Sequence, residues 1–421
     1  MFPLPNSSEV SIVETPRQFL NASEKHRLSI MLVAGEASGD KHGASLARAL
    51  QRLYPDFEFD FFGSGGREMR EAGVETLVDA GDVGVMGVLE VAQALRRLYG
   101  AYRKLVVAAI ARKPSAVVLI DWPDFNLRLA RRLSRLNFPI TYYISPQVWA
   151  WRMHRVRAIK KYVDRMLVIL PFEEEFYRKA GIEAQFVGHP LAGSVMADAS
   201  ASEFTARHSL DSNKLTIALL PGSRPSEINY HLPIMLDAAR LLTASTDDQR
   251  SSGLWPRFPA DEIQFIVPVA STIPVDRIEE LITKTNLPIK AIRNDTYNAL
   301  AHSKLAVVAS GTATVEAALL GTPMIVIYRG SELSYRLIRP LIKLNTFAMV
   351  NLIAGKRVVP ELIQHDATGE NIARTVFAML SDAQRRATMK DELDKVRARL
   401  LEGGADASER AARAVMRMAT A

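Results

Sequence analysis

The sequence contains no cysteine, and that absence excludes a disulfide framework, a thiolate metal site and a cysteine nucleophile. No apolar run reaches the ~18 to 20 uncharged residues of a membrane-spanning helix. Even Leu105 to Ile110 is bracketed by Lys104 and Arg112. Met1 to Lys25 lacks the basic start, apolar middle and small-residue cleavage site of a secretory signal, so residues 1–27 read as a flexible tail and cytoplasmic residence is expected. The histidines, at positions 26, 42, 154, 189, 208, 231, 302 and 365, show no HExxH or similar ligand spacing; no metal site and no cofactor are expected. A Gly-X-Ser-X-Gly nucleophile elbow is missing, as is any recognised nucleic-acid-binding motif.

What remains is a chain of 421 residues, 48% hydrophobic, long enough for about two or three domains with cores of their own. Apolar runs alternate with helical patterns, the signature of βα units around parallel sheets. Strands are expected at Leu28 to Ala34, Phe57 to Phe62, Ala116 to Ile120, Ile140 to Ile144, Met166 to Leu170 and Gln185 to Val187, with helices at Asp40 to Leu53, Val88 to Ala111 and Phe125 to Leu136. After Gly188-His189-Pro190 a polar, small-residue stretch, Ser194 to Asn213, marks a domain boundary. A second series follows at Leu215 to Leu220, Gln264 to Val269, Pro288 to Ile292, Leu305 to Ala309 and Met324 to Tyr328. The expected fold class is α/β: doubly wound domains over residues 28–195 and 210–366, then terminal helices over 367–421 that have the option of packing back on the first domain.

Acid is scarce in one region. The formal charge is +7, and between Arg96 and Lys161 the only acids are Asp121 and Asp124. Arg97, Arg103, Arg128, Arg131, Arg132, Arg135, Arg155 and their neighbours create a field that attracts anionic lipid headgroups or nucleic acid before specific contacts form. Solvated helix faces account for the same composition.

In open parallel sheets ligands bind beyond the carboxyl ends of strands, so the loops there carry the argument. Gly35-Glu36-Ala37-Ser38-Gly39-Asp40 follows the first strand; its glycines permit a tight backbone and the next helix can offer amides to an anion, although a structural βα turn explains it as well. Ile120-Asp121-Trp122-Pro123-Asp124-Phe125-Asn126 closes an apolar strand. Asp124 or Asn126 can cap the following helix. Asp121 has no such role ready: it suits a base that takes a proton from an attacking hydroxyl, kept ionised by nearby arginines, unless it is only the partner of one of them. Ser145-Pro146-Gln147-Val148-Trp149-Ala150-Trp151-Arg152 is either buried aromatic packing or a cleft wall with Arg152 or Arg155 facing phosphate. In the second half, Leu220-Pro221-Gly222-Ser223-Arg224 and Ala309-Ser310-Gly311-Thr312 both suit a phosphorylated ligand, through helix-end amides and charge-assisted bonds from Arg224. Glu316, a turn into its helix, can accept from a sugar hydroxyl. The plainer roles are a helix cap for Ser310 and a surface charge for Glu316.

These segments, AGEASGD, VMGVLEV, IDWPDFN, YYISPQVWAWR, FVGHP, LPGSR, ASGTATVEAALLGTPMIVIYR and MVNLIAGKRVVPELIQ, taken in order from about Leu28 to Gln364, resemble the lipid-A-disaccharide synthase family. The resemblance implies a GT-B fold, two Rossmann-like domains facing across a cleft. It also implies a metal-independent, inverting transfer from UDP-2,3-diacylglucosamine to 2,3-diacylglucosamine 1-phosphate, giving the lipid A disaccharide 1-phosphate and UDP. Carried onto this chain, Asp121 is the catalytic base. The acceptor-side candidates are Glu36, Ser38, Asp40, Met86, Glu90, Asp124, Asn126 and Arg152, and the UDP-side candidates are Ser223, Arg224, Glu227, Ser310, Gly311, Thr312, Glu316, Asn351 and Gln364, with Glu361 in the same last segment. Acylated substrates imply a peripheral position on the anionic inner face of the cytoplasmic membrane, and Val83 to Leu89 offers apolar surface for it, unless that segment is an ordinary buried loop. Nucleic acid is not an expected partner, and an oligomer is compatible. Three rivals stand beside this reading: another lipid-linked sugar transferase, a UDP-N-acetylglucosamine 2-epimerase on the same fold, or a non-catalytic lipid- or nucleic-acid-binding module.

Overall fold

The computed structural model describes residues 26–83, 91–151, 153–243, 262–270, 272–332, 335–336, 339, 346–402, 404 and 406–421. Met86, Glu90 and Arg152 lie outside them, as does Val83 to Leu89 except for the backbone of Val83.

The first half builds a parallel sheet from β1 (His26–Val33), β2 (Phe57–Gly65), β3 (Glu75–Asp79), β4 (Ala116–Ile120), β5 (Ile140–Tyr143), β6 (Arg165–Val168) and β7 (Ala184–Phe186), in the order β3-β2-β1-β4-β5-β6-β7. The second builds another from β8 (Leu215–Leu220), β9 (Ile263–Val269), β10 (Ile289–Arg293), β11 (Leu305–Ala309), β12 (Met324–Tyr328) and β13 (Glu361–Ile363), ordered β10-β9-β8-β11-β12-β13. The α/β fold class with two Rossmann-like sheets is therefore observed. Helices cover both faces, so the central strands β4 (AVVLI) and β11 (LAVVA) are buried throughout and need the unbroken apolar sequences they have. Strand order reverses between β1 and β4 in one sheet and between β8 and β11 in the other. Crevices open at such switch points.

β3 and β13 have no clear sequence signal. Both are edge strands, hydrogen-bonded to a neighbour on one side only, so partial burial suffices. β1 begins at His26, which pairs with Phe57, so His26 and Arg27 belong to the sheet and not to the tail. The polar stretch Ser194 to Asn213 is structured in its middle: Ser200 caps the helix Ala201–Arg207 through the amide of Glu203, and Phe204 is buried in the second core.

The terminal helices divide between the halves. Gly369–Ser381 and Ala383–Leu401 pack on the second sheet through Ile372, Val376, Leu393 and Val396. Ala407–Ala419 returns to the first, burying Ala411, Val415 and Met416 against the core of β1 and β4. Burying Val415 and Met416 stabilises this docking by ~2 kcal/mol each, whereas the exposed pairs of Arg52 with Asp406 and Glu409 add little. Among the described residues no helix is long and apolar enough to cross a membrane.

Candidate active site

Asp121 leaves β4 with φ of 46° and Trp122 follows at 47°, two consecutive non-glycine residues in the left-handed region. Each costs on the order of 1 kcal/mol or more and persists only where surroundings hold it. The main-chain carbonyl of Asp121 accepts from the buried Tyr142 hydroxyl at 2.6 Å and from Asn126 Nδ2 at 2.8 Å. Trp122 then stacks on Phe125, with ring centroids 3.9 Å apart. Gly35 makes room for it: a Cβ there would stand 2.0 Å from the Trp122 ring. Glycine at 35 is thus needed for a close approach. Asn126 is a brace behind the loop, not a helix cap, because its amide is spent on the carbonyls of Ile120 and Asp121.

The Asp121 carboxyl is pushed up to about 6, first by burial and second by the like charge of Glu36. That corrects the expectation of arginines holding it ionised. The expected ion pair goes instead to Asp124, which binds Arg155 and is otherwise exposed. Asp40 is also corrected. Buried, it accepts from the amides of Gly66, Glu68 and Met69 at 2.6 to 3.1 Å, which fastens the first loop to the second. Glu36 and Ser38 are exposed at the start of the helix Ala37–Leu53.

A cavity of about 610 Å³ runs along these loops, lined by Ser38, Lys41, His42, Asp121, Arg155 and His189 among others, and reaching Thr312 and Met349 of the second half. Burial lowers His42 and His189 to about 4, helped by Lys41 for the former and by His42 for the latter. Both rings are neutral near pH 7. Since His189 Nδ1 accepts the Leu191 amide at 3.2 Å, its proton sits on Nε2. Trp149 is packing, as its plainer reading had it: buried, it donates from Nε1 to the buried Glu173, whose carboxyl burial pushes up to about 7.

A second cavity, about 670 Å³, opens at the β8/β11 switch point and gathers Ser223, Arg224, Glu227, Ser310, Gly311, Thr312 and Glu316. Gly222 has φ of 120°, and Glu227 Oε2 accepts from the amide of Ser223 at 2.8 Å and of Arg224 at 3.3 Å. Glu227 therefore shapes the loop from within. Arg224, with a side chain 76% exposed, keeps its guanidinium at the rim. Ser310 caps no helix; its hydroxyl donates to the Phe347 carbonyl at 3.2 Å. Gly311 and Thr312 begin the helix Thr312–Leu319 at the cavity wall. Glu316 is not a surface charge. Burial raises its pKa against a hydrogen bond from Tyr297 and the positive field of Lys41 in the other half.

Asn351, Glu361 and Gln364 are not brought to either cavity. Asn351 is fully buried, donating to Val359 O and Glu361 and accepting the amides of Val358 and Val359. Glu361 in turn accepts the amides of Phe347 and Ala348, which holds the segment that Ser310 leans on. Gln364 ties down the loop at Gly330 and Glu332. Their contribution is to position. Lys41, His42 and His189 line the first cavity and Tyr297 the second, residues that no motif singles out. Lys41 and His42 directly follow the glycine loop and His189 stands in the FVGHP segment, so each had a local signal; Tyr297 had none. Among the described residues no three His, Asp or Glu side chains are grouped as metal ligands.

Comparison with known proteins agrees with this layout. A sequence model of the family described as lipid-A-disaccharide synthetase matches residues 30–415. The chain is 44% identical over 395 residues to the lipid-A-disaccharide synthase of Koribacter versatilis (strain Ellin345), covering 93% of this chain and 99% of that one. It is 46% identical over 384 residues to that of Syntrophus aciditrophicus (strain SB), covering 91% and 96%. In fold it is similar to the calicheamicin glycosyltransferase, with a TM-score of 0.57, 15% identity and coverage of 94% and 98%. A putative UDP-N-acetylglucosamine 2-epimerase from Listeria monocytogenes gives a TM-score of 0.55, 13% identity and coverage of 87% and 91%. The last two likenesses are of architecture alone.

Proposed function

The chain belongs to the lipid-A-disaccharide synthase family, glycosyltransferases of lipid A biosynthesis, and on that premise we propose that it transfers the sugar of UDP-2,3-diacylglucosamine to the 6-hydroxyl of 2,3-diacylglucosamine 1-phosphate. Residues 28–195 take the acceptor and residues 210–366 the UDP-sugar. The Asp121 carboxylate removes the proton of the acceptor hydroxyl as its oxygen bonds to the anomeric carbon; the bond from that carbon to the diphosphate oxygen breaks, configuration inverts, and UDP departs. Arg224 and the amides at Gly311 and Thr312 take up the negative charge that gathers on the leaving diphosphate. A base near 6 is matched to neutral pH, mostly ionised yet still basic enough to accept a proton.

The observation that carries this reading is that the two cavities adjoin. Thr312 lines both, with Asp121 on one side and Arg224 on the other. An acceptor held by the first half and a donor held by the second would meet there. The test is to incubate purified protein with both substrates, with and without chelator, and to look for disaccharide 1-phosphate and UDP. Product in both conditions is expected; its absence with authentic substrates would sink the assignment.

The same reading puts the protein at the anionic inner face of the cytoplasmic membrane. It is supported by Tyr99, Val107 and Ile110, exposed large apolar side chains on the helix Val91–Arg112, beside the exposed Arg96, Arg97 and Arg103. Co-sedimentation with phosphatidylglycerol vesicles that weakens with salt is the expected result; no binding at low salt would remove the membrane part alone.

A further inference from the structure

The loop that carries Asp121 has a second side. Asp121 and Pro123 line the 610 Å³ cavity, whereas Trp122, Asp124 and Phe125 line a separate one of about 550 Å³. One wall of the latter is aromatic and apolar: Leu98, Tyr99 and Tyr102 come from the helix Val91–Arg112. Tyr102 stands edge-on to Phe125 with centroids 6.4 Å apart, and Phe125 lies under Trp122. The other wall is cationic. Arg128, Arg131, Arg132 and Arg135 fall at i, i+3, i+4 and i+7, which brings all four to one helix face.

Four exposed arginines in a row repel one another, and among the described residues none of them is in an ion pair. The acid beside them, Asp124, is engaged by Arg155. Such a face is at its most stable with an anion on it. An inorganic anion would have no use for the aromatic wall, and a plain acyl chain none for the arginines. The pair of walls fits a molecule with a phosphate and a hydrocarbon chain close together, gripped next to Asp121 in sequence.

We propose that this cavity binds the phosphate and an adjoining acyl chain of the acceptor, an acylated sugar 1-phosphate. The proposal rests on the glycosyl-transfer reading above. In it, Arg128, Arg131, Arg132 and Arg135 hold the phosphate, Tyr99 and Tyr102 hold the chain, and the far hydroxyl of the sugar turns around the loop toward Asp121. The same chemistry exists in a membrane phospholipid, so the test separates the two sources.

The test compares wild type with R128A/R132A, using glucosamine 1-phosphate carrying short acyl chains, the same compound without its phosphate, and no membrane. At saturating donor, KM for the phosphorylated acceptor is expected to rise about tenfold or more in the double variant. Preference for it over the unphosphorylated compound should disappear, with the donor KM unchanged. Tyr99→Ala, on the apolar wall, should weaken both acceptors alike. Unchanged acceptor KM in the double variant, or equal loss for both compounds, overturns the proposal. So does loss of binding to phosphatidylglycerol vesicles with acceptor preference intact, which would assign the cavity to membrane lipid. Should wild type form no disaccharide at all, the transfer reading fails separately. Calorimetry with the two compounds then decides the cavity: phosphate-dependent binding that the double variant loses upholds it, and no such binding removes it.

Discussion

Replacing Asp121 by asparagine tests the proposed chemistry with little collateral change. The bonds from Tyr142 and Asn126 that hold the strained loop go to the main-chain carbonyl of residue 121, and the one its carboxylate accepts, from the Trp122 amide, can still be accepted by an asparagine Oδ1. Asparagine is also among the residues that tolerate the left-handed region. The loop should therefore stay in place while the base is lost. Loss of a positioned general base costs ~10²- to 10⁴-fold in rate, equivalent to about 2.7 to 5.5 kcal/mol. Because burial and Glu36 push the carboxyl up to about 6, wild-type turnover should fall roughly tenfold for each pH unit below that value, and the variant's residual turnover should lack this acid limb. Stability should move the other way. A carboxyl whose pKa is raised on folding contributes stability that is present below its usual value and is lost as pH rises through about 6. At pH 8 the variant should thus melt no lower than wild type. The assay is disaccharide formation from pH 5 to 9 alongside thermal melting. A variant within tenfold of wild-type turnover, or one retaining the acid limb, would refute the reasoning.

Three further perturbations follow from the same geometry. Glu36→Gln removes the like charge near Asp121, so the acid limb of the rate profile should shift to lower pH, by less than about one pH unit because burial is the larger cause and remains; an unmoved limb would contradict this. Arg224→Ala should weaken UDP binding in calorimetry by roughly tenfold to a hundredfold, the range for a hydrogen bond to a charged group. It should leave the melting temperature unchanged, since the side chain is 76% exposed, and a large loss of stability would reassign the residue to the fold. Burial pushes Glu173 up to about 7, so its contribution to stability is present below the usual carboxyl range and disappears as pH rises through 7. Between pH 5 and 8 the melting temperature of wild type should decline relative to that of Glu173→Gln, and a constant difference between them would count against a titrating Glu173.

The two-sheet architecture was legible because strands buried on both faces must be apolar from end to end, as the short, valine-rich β4 and β11 are. β3 and β13 were not, since an edge strand pairs on one side and its sequence is freer. Loop position was legible as well. Chain order alone puts Glu36, Asp121, Ser223 and Ser310 at strand ends, where open sheets bind ligands. Side-chain duty was not. Asp40 and Asp121 are both acids after a strand, yet one is consumed by three amides and the other is left in the cavity.

By itself, then, the sequence determined the alternation of strand and helix, the loops that matter and, through eight ordered segments, the family. Those properties reside in local patterning and chain order. Only the tertiary structure decided that Asp124 takes the arginine while Asp121 does not, that Glu36 and burial together raise Asp121, and that Lys41 of one half reaches Glu316 of the other. Burial and charge proximity depend on which distant segments fold against each other, and neither is written in the spacing of residues along the chain.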